Sequence, residues 1–270
     1  MKLKTIPNFT FDEASHTYQL DGKLLTGTTT VLKCRSEAWL EFWRAKAMYN
    51  ALLPQLERAK MSDQFRWEYM LDEAKNAGSA KSKEALESGK IAHTACESWI
   101  QQRIAGVKQP ILAPITDEGA SKAFEQFKAW EEAHTVQWLY SEIKLCSAIH
   151  SLAGTVDFIA MIDGVLTIGD FKTSNQISQN VCLQTASYQI LVEENLEEGE
   201  APKQRCVIRI PKNGDGFEYQ VIQTDINFDK EIFLALRQVH RWEVYIQNNF
   251  TEGTNKYDTK IKLNKQNANE

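Results

Sequence analysis

One short stretch of this sequence combines acids and a lysine with spacing suited to metal and phosphate chemistry. It runs Gly154-Thr-Val-Asp157-Phe-Ile-Ala-Met-Ile-Asp163-Gly-Val-Leu-Thr-Ile-Gly-Asp170-Phe-Lys172. An Asp-Gly pair between two apolar runs is a strong signal for a two-residue hairpin turn. The stretch therefore predicts two antiparallel strands, and alternation along each strand decides which side chains share a face.

With the turn at Asp163-Gly164, Ile162 pairs with Val165 and Asp157 lies directly opposite Asp170. Opposed residues point to one face with Cβ atoms roughly 5 Å apart, and Lys172 shares that face. Two close carboxylates repel each other unless a cation lies between them, and Mg²⁺ prefers such ligands. The alternative is a polar outer face with ordinary surface charges, which fits poorly because both strands are otherwise apolar.

Four motifs, taken in order, resemble the RecB-like exonuclease branch of the PD-(D/E)XK nucleases. They are Gly89-Lys-Ile-Ala-His93-Thr-Ala-Cys-Glu97, Ser141-Glu142, the hairpin ending Asp170-Phe171-Lys172-Thr173-Ser174, and Gln184-Thr-Ala-Ser-Tyr188. In addition, Thr28-Thr-Thr-Val-Leu32 and the aromatic region after it resemble the N-terminus of the mitochondrial genome maintenance exonuclease and related phage exonucleases. The similarity covers roughly residues 16–195.

The resemblance implies an α/β fold with a restriction-endonuclease-like core. This core is a central mixed β-sheet flanked by helices, with an N-terminal hairpin and a helical elaboration. It implies a Mg²⁺-dependent DNA exonuclease, with Mn²⁺ as a substitute, acting in phage- or bacterial-type replication, recombination or repair. Its DNA would be single-stranded or have a free end, and a replication or recombination partner protein is compatible with it. A structure-specific or nicking endonuclease and a non-catalytic DNA-end-binding module remain alternatives.

The resemblance also assigns roles to individual residues. The catalytic residues are Asp157, Asp170 and Lys172, and the metal ligands are His93, Asp157, Asp170 and the carbonyl of Phe171. The supporting or DNA-binding residues are Glu97, Glu142, Thr173, Gln184 and Tyr188. From the residues alone, a histidine beside an apolar helical stripe is more often structural than ligating. A solvated Glu97 and a helix that merely caps the core with Gln184 and Tyr188 also remain alternatives.

Length and composition limit the remaining possibilities. The 270 residues, 43% of them hydrophobic, show no internal repeat and no linker. They predict one nuclease domain over residues 1–250, with an N-terminal hairpin and helical region (1–80), a catalytic core (81–250) and a frayed polar tail (251–270). The net charge of −5 argues against coating duplex DNA by bulk attraction but allows a local basic groove.

The cysteines and the terminus exclude several other classes. The five cysteines are scattered, so neither a zinc site nor the iron–sulfur cluster of some relatives is expected. The sequence has no apolar run long enough to span a membrane and no secretory signal. The expected location is therefore cytoplasmic, in a bacterium or a phage-infected host cell.

The elements that position the motifs can be predicted from periodicity and turn residues. Asp21-Gly22 predicts an N-terminal hairpin, followed by residues 26–32 as a turn or short extended piece. Helices are predicted over 37–76 with a break at Pro54, and over 81–103, 116–134, 179–195 and 228–250. Strands are predicted over 137–146, 154–162, 165–172, 205–210 and 217–222. The region after residue 36 carries aromatic side chains that would either fill the core or guide a single strand: Trp39, Phe42, Trp43, Phe65, Trp67 and Tyr69.

Overall fold

The computed structural model describes residues 1–35, 38–59, 74, 89–174, 176–211, 216–252 and 261–263. The strands are β1 Lys2–Leu3, β2 Phe9–Asp12, β3 Thr17–Leu20, β4 Lys23–Gly27, β5 Val136–Ser147, β6 Leu152–Ile162, β7 Val165–Lys172, β8 Leu196–Glu198, β9 Gln204–Arg209, β10 Glu218–Val221, β11 Phe250–Glu252 and β12 Ile261–Leu263. The helices are α1 Thr28–Leu32, α2 Ala38–Ala59, α3 over residues 89–104, α4 Glu118–Ala133, α5 Asn180–Glu194 and α6 Ile226–Asn249.

Within the described part of the chain, eight strands form a central mixed sheet in the order β10-β9-β7-β6-β4-β3-β2, with β5 paired to the other edge of β6. The β4–β6 and β7–β9 pairs are parallel, and the remaining pairs are antiparallel. This mixed α/β architecture is the fold class expected from the sequence. The strands that carry Asp157 and Asp170 lie in its middle.

Helices cover both faces of the sheet because the central strands are apolar on both sides. On one face, α3 and α4 pack against a first core that includes Phe127, Phe158 and Phe171. On the other face, α1, α5 and α6 pack against a second core that includes Ile168 and Leu191. The two cores together hold β6 and β7 rigidly between layers of helices.

The predicted hairpin register is confirmed along the paired part of β6 and β7. Its pairs run from Ile162–Val165 to Phe158–Gly169, as the turn at Asp163-Gly164 requires. Gly169 allows close packing here, because a Cβ at this position would overlap the ring of Phe158. The pairing ends there, one step before Asp157 and Asp170.

Three local predictions were wrong. Residues 26–32 are not an extended piece, since β4 ends at Gly27 and Thr28–Leu32 form helix α1. Pro54 does not end the aromatic helix but lies within α2, because an interior proline removes one hydrogen bond without preventing the helix from continuing. The tail is not frayed where Phe250–Glu252 pairs with Ile261–Leu263.

The start of α4 has a side-chain cap. The carboxylate of Asp117 accepts a hydrogen bond of 2.7 Å from the backbone N–H of Ala120. Such a cap supplies one of the acceptors that the first turn of a helix lacks. Further along α4, the buried Glu131 accepts hydrogen bonds from the indole N–H groups of Trp99 and Trp138. Glu131 therefore ties α4 to both α3 and β5.

Within the described residues, no helix has the length and apolarity that crossing a membrane requires.

Candidate active site

The candidate site lies at a fork in the sheet. One edge of β6 pairs with β7 over residues 158–162, and the same edge pairs with β4 at Leu152 and Ala153. Asp157 lies on β6 between these two paired segments, where β6 pairs with neither β7 nor β4. Such a gap leaves polar backbone groups and side chains free to turn towards each other.

The carboxylate of Asp157 uses this gap. Its Oδ2 accepts a hydrogen bond of 2.8 Å from the backbone N–H of Phe171 on β7. The predicted direct pairing of Asp157 with Asp170 is therefore replaced by a side-chain contact one residue further along. The pairing of β6 with β7 ends at Phe158 and Gly169. The expectation that directly paired residues point to one face of the sheet therefore does not apply to Asp157 and Asp170.

Asp170 and Lys172 lie on the face of β7 that is covered by α5. Phe171 packs in the first core, so its two neighbours point to the opposite side. The Nζ of Lys172 lies 2.6 Å from Oδ2 of Asp170, whose side chain is only 1% exposed. The pair is thus a nearly buried ion pair.

Gln184 and Tyr188 complete a closed ring with this ion pair. Lys172 Nζ donates to Gln184 Oε1 at 2.7 Å, and Gln184 Nε2 donates to the Tyr188 hydroxyl at 2.7 Å. The Tyr188 hydroxyl donates in turn to Oδ1 of Asp170 at 3.3 Å. Gln184 and Tyr188 can act together because residues four apart share one side of a helix. The ring holds the ammonium of Lys172 in one position.

His93 reaches the site from α3, on the other side of the sheet. Its Nε2 lies 3.5 Å from Oδ2 of Asp157 and 3.8 Å from Oε1 of Glu142. Its ring packs edge-on against Phe171. Glu97, one turn further along α3, has a ligand atom within 4.8 Å of those of His93 and Glu142, and it also accepts from Gln101.

Glu142 belongs to the site through its strand register, which the sequence alone did not reveal. On β5, Ser141 pairs with Phe158 and Ile143 pairs with Val156, so Glu142 falls at the level of Asp157. Its backbone has φ of 50°, a conformation that is uncommon for a residue other than glycine. Such backbone strain at a cluster of acids is typical of functional sites.

The crowding of charged groups shifts several pKa values. Burial and the charge of Asp157 raise the pKa of Glu142 to about 7. Burial raises the pKa of Asp170 to about 6, although Lys172 opposes the shift. Burial would lower the pKa of His93, but its hydrogen bond to Asp157 and the charges of Asp157 and Glu142 raise that pKa to about 9. The site therefore carries more negative charge than its own cations neutralise.

These residues fit a hard divalent cation. Oδ2 of Asp170 is buried, and its partner among the described residues is the ammonium of Lys172 at 2.6 Å. Oxygen atoms of carboxylates together with an imidazole form a donor set suited to Mg²⁺ or Mn²⁺. Of the five cysteines, those at 96, 146 and 206 are buried as free thiols.

Thr173, the residue after Lys172, has a packing role. A Cβ added to Gly89 of α3 would overlap the Oγ1 of Thr173. The glycine therefore lets α3, with His93 one turn later, approach the end of β7 closely. The hydroxyl of Ser174 donates to the carbonyl of Gln176.

Sequence reasoning missed Tyr18. This residue of the N-terminal hairpin is buried, and its hydroxyl shares a hydrogen bond of 2.9 Å with Oγ1 of Thr155, two residues before Asp157. Burial raises the pKa of Tyr18, and the nearby charge of Glu142 adds to the shift. No local spacing connects residue 18 with residue 155, so no sequence signal could have revealed the contact.

The aromatic side chains expected to guide a single strand lie outside the described residues. This applies to the side chains of Trp39, Phe42 and Trp43 within α2, and to residues 65, 67 and 69.

Comparison with known proteins gives one family. The model of the PD-(D/E)XK nuclease superfamily matches residues 70–257, which include every residue of the candidate site named above except Tyr18. No curated protein matches the chain.

Proposed function

The chain belongs to the PD-(D/E)XK nuclease superfamily, and on that premise we propose that it is a Mg²⁺-dependent exonuclease that hydrolyses phosphodiester bonds of DNA. Within the superfamily we place it in the RecB-like branch, on the strength of its four motifs. We assign it to DNA replication, recombination or repair.

One observation carries the proposal: the meeting of Asp157, Asp170, His93 and Lys172 at the fork of the sheet. Asp157 and Asp170, with His93 and the carbonyl of Phe171, would hold the metal, and Glu142 and Glu97 lie close enough to support it. When bound, a divalent cation lowers the pKa of a coordinated water and neutralises charge on a phosphate oxygen.

Lys172 is the residue that distinguishes catalysis from binding. Its ammonium is fixed by Asp170 and by the amide oxygen of Gln184. Burial opposes its charge, but the carboxylates of Asp170 and Asp157 raise its pKa, so it stays protonated at neutral pH. A fixed cation next to the reacting phosphate stabilises the negative charge that develops there during hydrolysis.

Gln184 and Tyr188 are positioning residues in this scheme. Neither needs to contact DNA, because the ring through Gln184 and Tyr188 already orients both Lys172 and Asp170. A non-catalytic DNA-end-binding module would have no use for a lysine held in this way. The intact set therefore favours an enzyme.

Exonuclease action is preferred over a nicking or structure-specific endonuclease because the four motifs resemble the RecB-like exonuclease branch. The deciding test compares linear and covalently closed DNA, both single- and double-stranded, with one end of each linear form labelled. Each reaction is run with Mg²⁺, Mn²⁺, Ca²⁺ or excess chelator.

We expect cleavage of linear DNA with Mg²⁺ and Mn²⁺, little with Ca²⁺ because its larger and looser shell misplaces the water, and none with chelator. Lys172→Met should lower cleavage by about 100- to 1000-fold, whereas Lys203→Met serves as the matched control at a surface pair with Glu200. Closed circles cut as fast as linear DNA would replace the exonuclease with the endonuclease. Full activity in chelator would refute the metal-dependent reaction itself.

A further inference from the structure

Three polar side chains lie one helical turn apart along one side of α5: Asn180, Gln184 and Tyr188. The second and third contact the ammonium of Lys172 and the carboxylate of Asp170, respectively. The first accepts a hydrogen bond of 2.5 Å from the guanidinium of Arg35, which follows α1. One side of α5 therefore holds three charged groups in a row, and the proposed function uses two of them.

Arg35 is fixed at both ends of its side chain. Its backbone N–H donates to the carbonyl of Leu32, a residue buried in the second core. Its guanidinium donates at 2.5 Å to the side-chain oxygen of Asn180 and at 3.2 Å to that of Gln179. These contacts keep the guanidinium in one position beside the first turn of α5.

The two acceptors of Arg35 are neutral, so its charge is not cancelled by them. Within the described part of the chain, both hydrogen bonds of the guanidinium go to amide oxygens and no carboxylate forms an ion pair with it. A guanidinium has five N–H donors, and these two contacts do not use them all. By contrast, Arg205, which also donates to α5, is neutralised by Asp229 at 2.8 Å. An arginine that only joins two elements does not need such an excess of charge.

The row of charged groups runs from the interior of the protein towards solvent. The side chain of Asp170 is 1% exposed and that of Lys172 is 25% exposed. Arg35 is half-buried, and Gln179 beside it is exposed. The positions on α5 that hold Lys172 and Arg35 are four residues, or roughly 6 Å, apart along the helix axis. A DNA strand that reaches Lys172 from solvent would therefore bring a second phosphate close to Arg35.

We propose that Arg35 is a DNA-binding residue, which contacts the phosphate next to the one that reacts beside Lys172, on the same strand. This assignment rests on the proposed function and adds a substrate contact to it. A guanidinium binds phosphate oxygens through two parallel hydrogen bonds, and Arg35 has donors left for them. Because the contact is with the backbone, it positions the strand without sequence preference.

The first test measures DNA binding by the full chain in Ca²⁺, where little hydrolysis is expected. Fluorescence anisotropy with an end-labelled linear strand gives the affinity at several salt concentrations. Arg35→Gln should weaken binding about tenfold. It should also reduce the slope of log affinity against log salt by about 0.7, the share of one phosphate contact on a single strand. Lys33→Gln is the matched control, because Lys33 is exposed two residues earlier and carries the same charge; it should change the affinity by less than about twofold.

The second test locates the phosphate that Arg35 contacts. A series of strands carries one uncharged methylphosphonate linkage each, at successive positions from the free end. At one linkage, next to the bond that is cut, the replacement should weaken binding by the wild type about tenfold. The same replacement should leave binding by Arg35→Gln unchanged, because the interaction is already absent from that variant.

Asn180→Asp separates a contact with DNA from a structural role. The carboxylate keeps the hydrogen bond with Arg35 but cancels its charge, so DNA binding should weaken about tenfold while the Tm stays the same or rises. If Arg35 only joins α1 to α5, Arg35→Gln lowers the Tm, DNA affinity stays normal in both variants, and the proposal is overturned. Equal losses in Arg35→Gln and Lys33→Gln, on every strand of the series, would also overturn it, because they indicate bulk attraction alone.

Two results distinguish this contact from the nuclease activity itself. A wild-type chain that cleaves DNA, with an Arg35→Gln variant that binds every strand normally, refutes the contact and leaves the proposed function intact. A wild-type chain that neither binds nor cleaves DNA refutes both.

Discussion

Replacing Gly89 by alanine should move His93 away from its partners across the fork. Gly89 lies in α3 four residues before His93, and Thr173 directly follows Lys172 on the strand side. An added Cβ would overlap the Oγ1 of Thr173 and lie 3.0 Å from its Cβ. Because Thr173 is short and branched, a change of rotamer alone does not clear both contacts, and the helix and the strand must separate.

Two opposing effects set the change in stability. Alanine at an unstrained helical position stabilises a protein by about 0.5–1 kcal/mol relative to glycine. Forcing an extra methyl group into a filled space costs about 1–3 kcal/mol. The overlap should win, so we expect Gly89→Ala to lower the free energy of unfolding by about 1 kcal/mol.

The effect on turnover should be larger than the effect on stability. Separating the helix and the strand by roughly 0.5 Å displaces the imidazole of His93 from Asp157. Since a misplacement of 1 Å can cost about 100-fold in rate, we expect roughly a tenfold loss of cleavage. Urea unfolding and a nuclease assay measure the two effects, and Mn²⁺ titration by calorimetry gives a readout independent of turnover.

A double-mutant cycle separates the contact from general damage. Gly89→Ala is measured in the Thr173 background and again in a Thr173→Ala background, where Oγ1 and Cγ2 are absent. If the overlap causes the loss, both costs should shrink in the second background. The reasoning would be refuted by a Gly89→Ala protein that is about 1 kcal/mol more stable than wild type and cleaves at the normal rate.

Three further outcomes follow from the site and the core. The raised pKa of Glu142 means that its ionised form lowers the stability of the metal-free protein. This loss of stability is absent below the unfolded pKa of 4.5 and complete above the folded pKa of about 7. Glu142→Gln should therefore raise the Tm in chelator at about pH 8 and leave it unchanged at about pH 4.5. Lys172→Met should lower cleavage by about 100- to 1000-fold while Mn²⁺ binding persists by calorimetry, and normal turnover would exclude its role. Glu131→Ala should cost about 3 kcal/mol in urea unfolding, because it leaves the buried indole N–H of Trp138 and the half-buried indole N–H of Trp99 without an acceptor.

Much of the fold could be predicted because the signals were local. The turn at Asp163-Gly164 sets the register of β6 and β7, and the acid at Asp117 marks the start of α4. Predictions failed where a weak local preference was overridden. Pro54 is tolerated within a long helix, and the threonine run from Thr28 forms a helix where Thr28 itself is buried and donates to Ala153.

The residues of the candidate site could be named from the sequence, but their contacts with one another could not. Residues 93, 157, 170, 172, 184 and 188 were named from the motifs, whereas the ring through Gln184 and the contact between Asp157 and Phe171 were not. Both contacts form where the pairing of β6 with β7 ends. The residue at which it ends depends on where β4 pairs with the same edge of β6. That is a long-range property of the sheet, and no spacing within the hairpin encodes it.

The fork also explains why charged residues are tolerated in apolar strands. Where β6 and β7 separate, the gap between them is lined by backbone N–H groups such as that of Phe171, which donates to the carboxylate of Asp157. Even there, Asp170 remains 1% exposed with its pKa raised to about 6, so its ionised form is destabilising. Groups that lower stability where apolar residues would pack well are typical of functional sites rather than structural ones. The positive φ of Glu142 lies at the same level of the sheet as these acids, which supports our proposal that the fork is the catalytic centre.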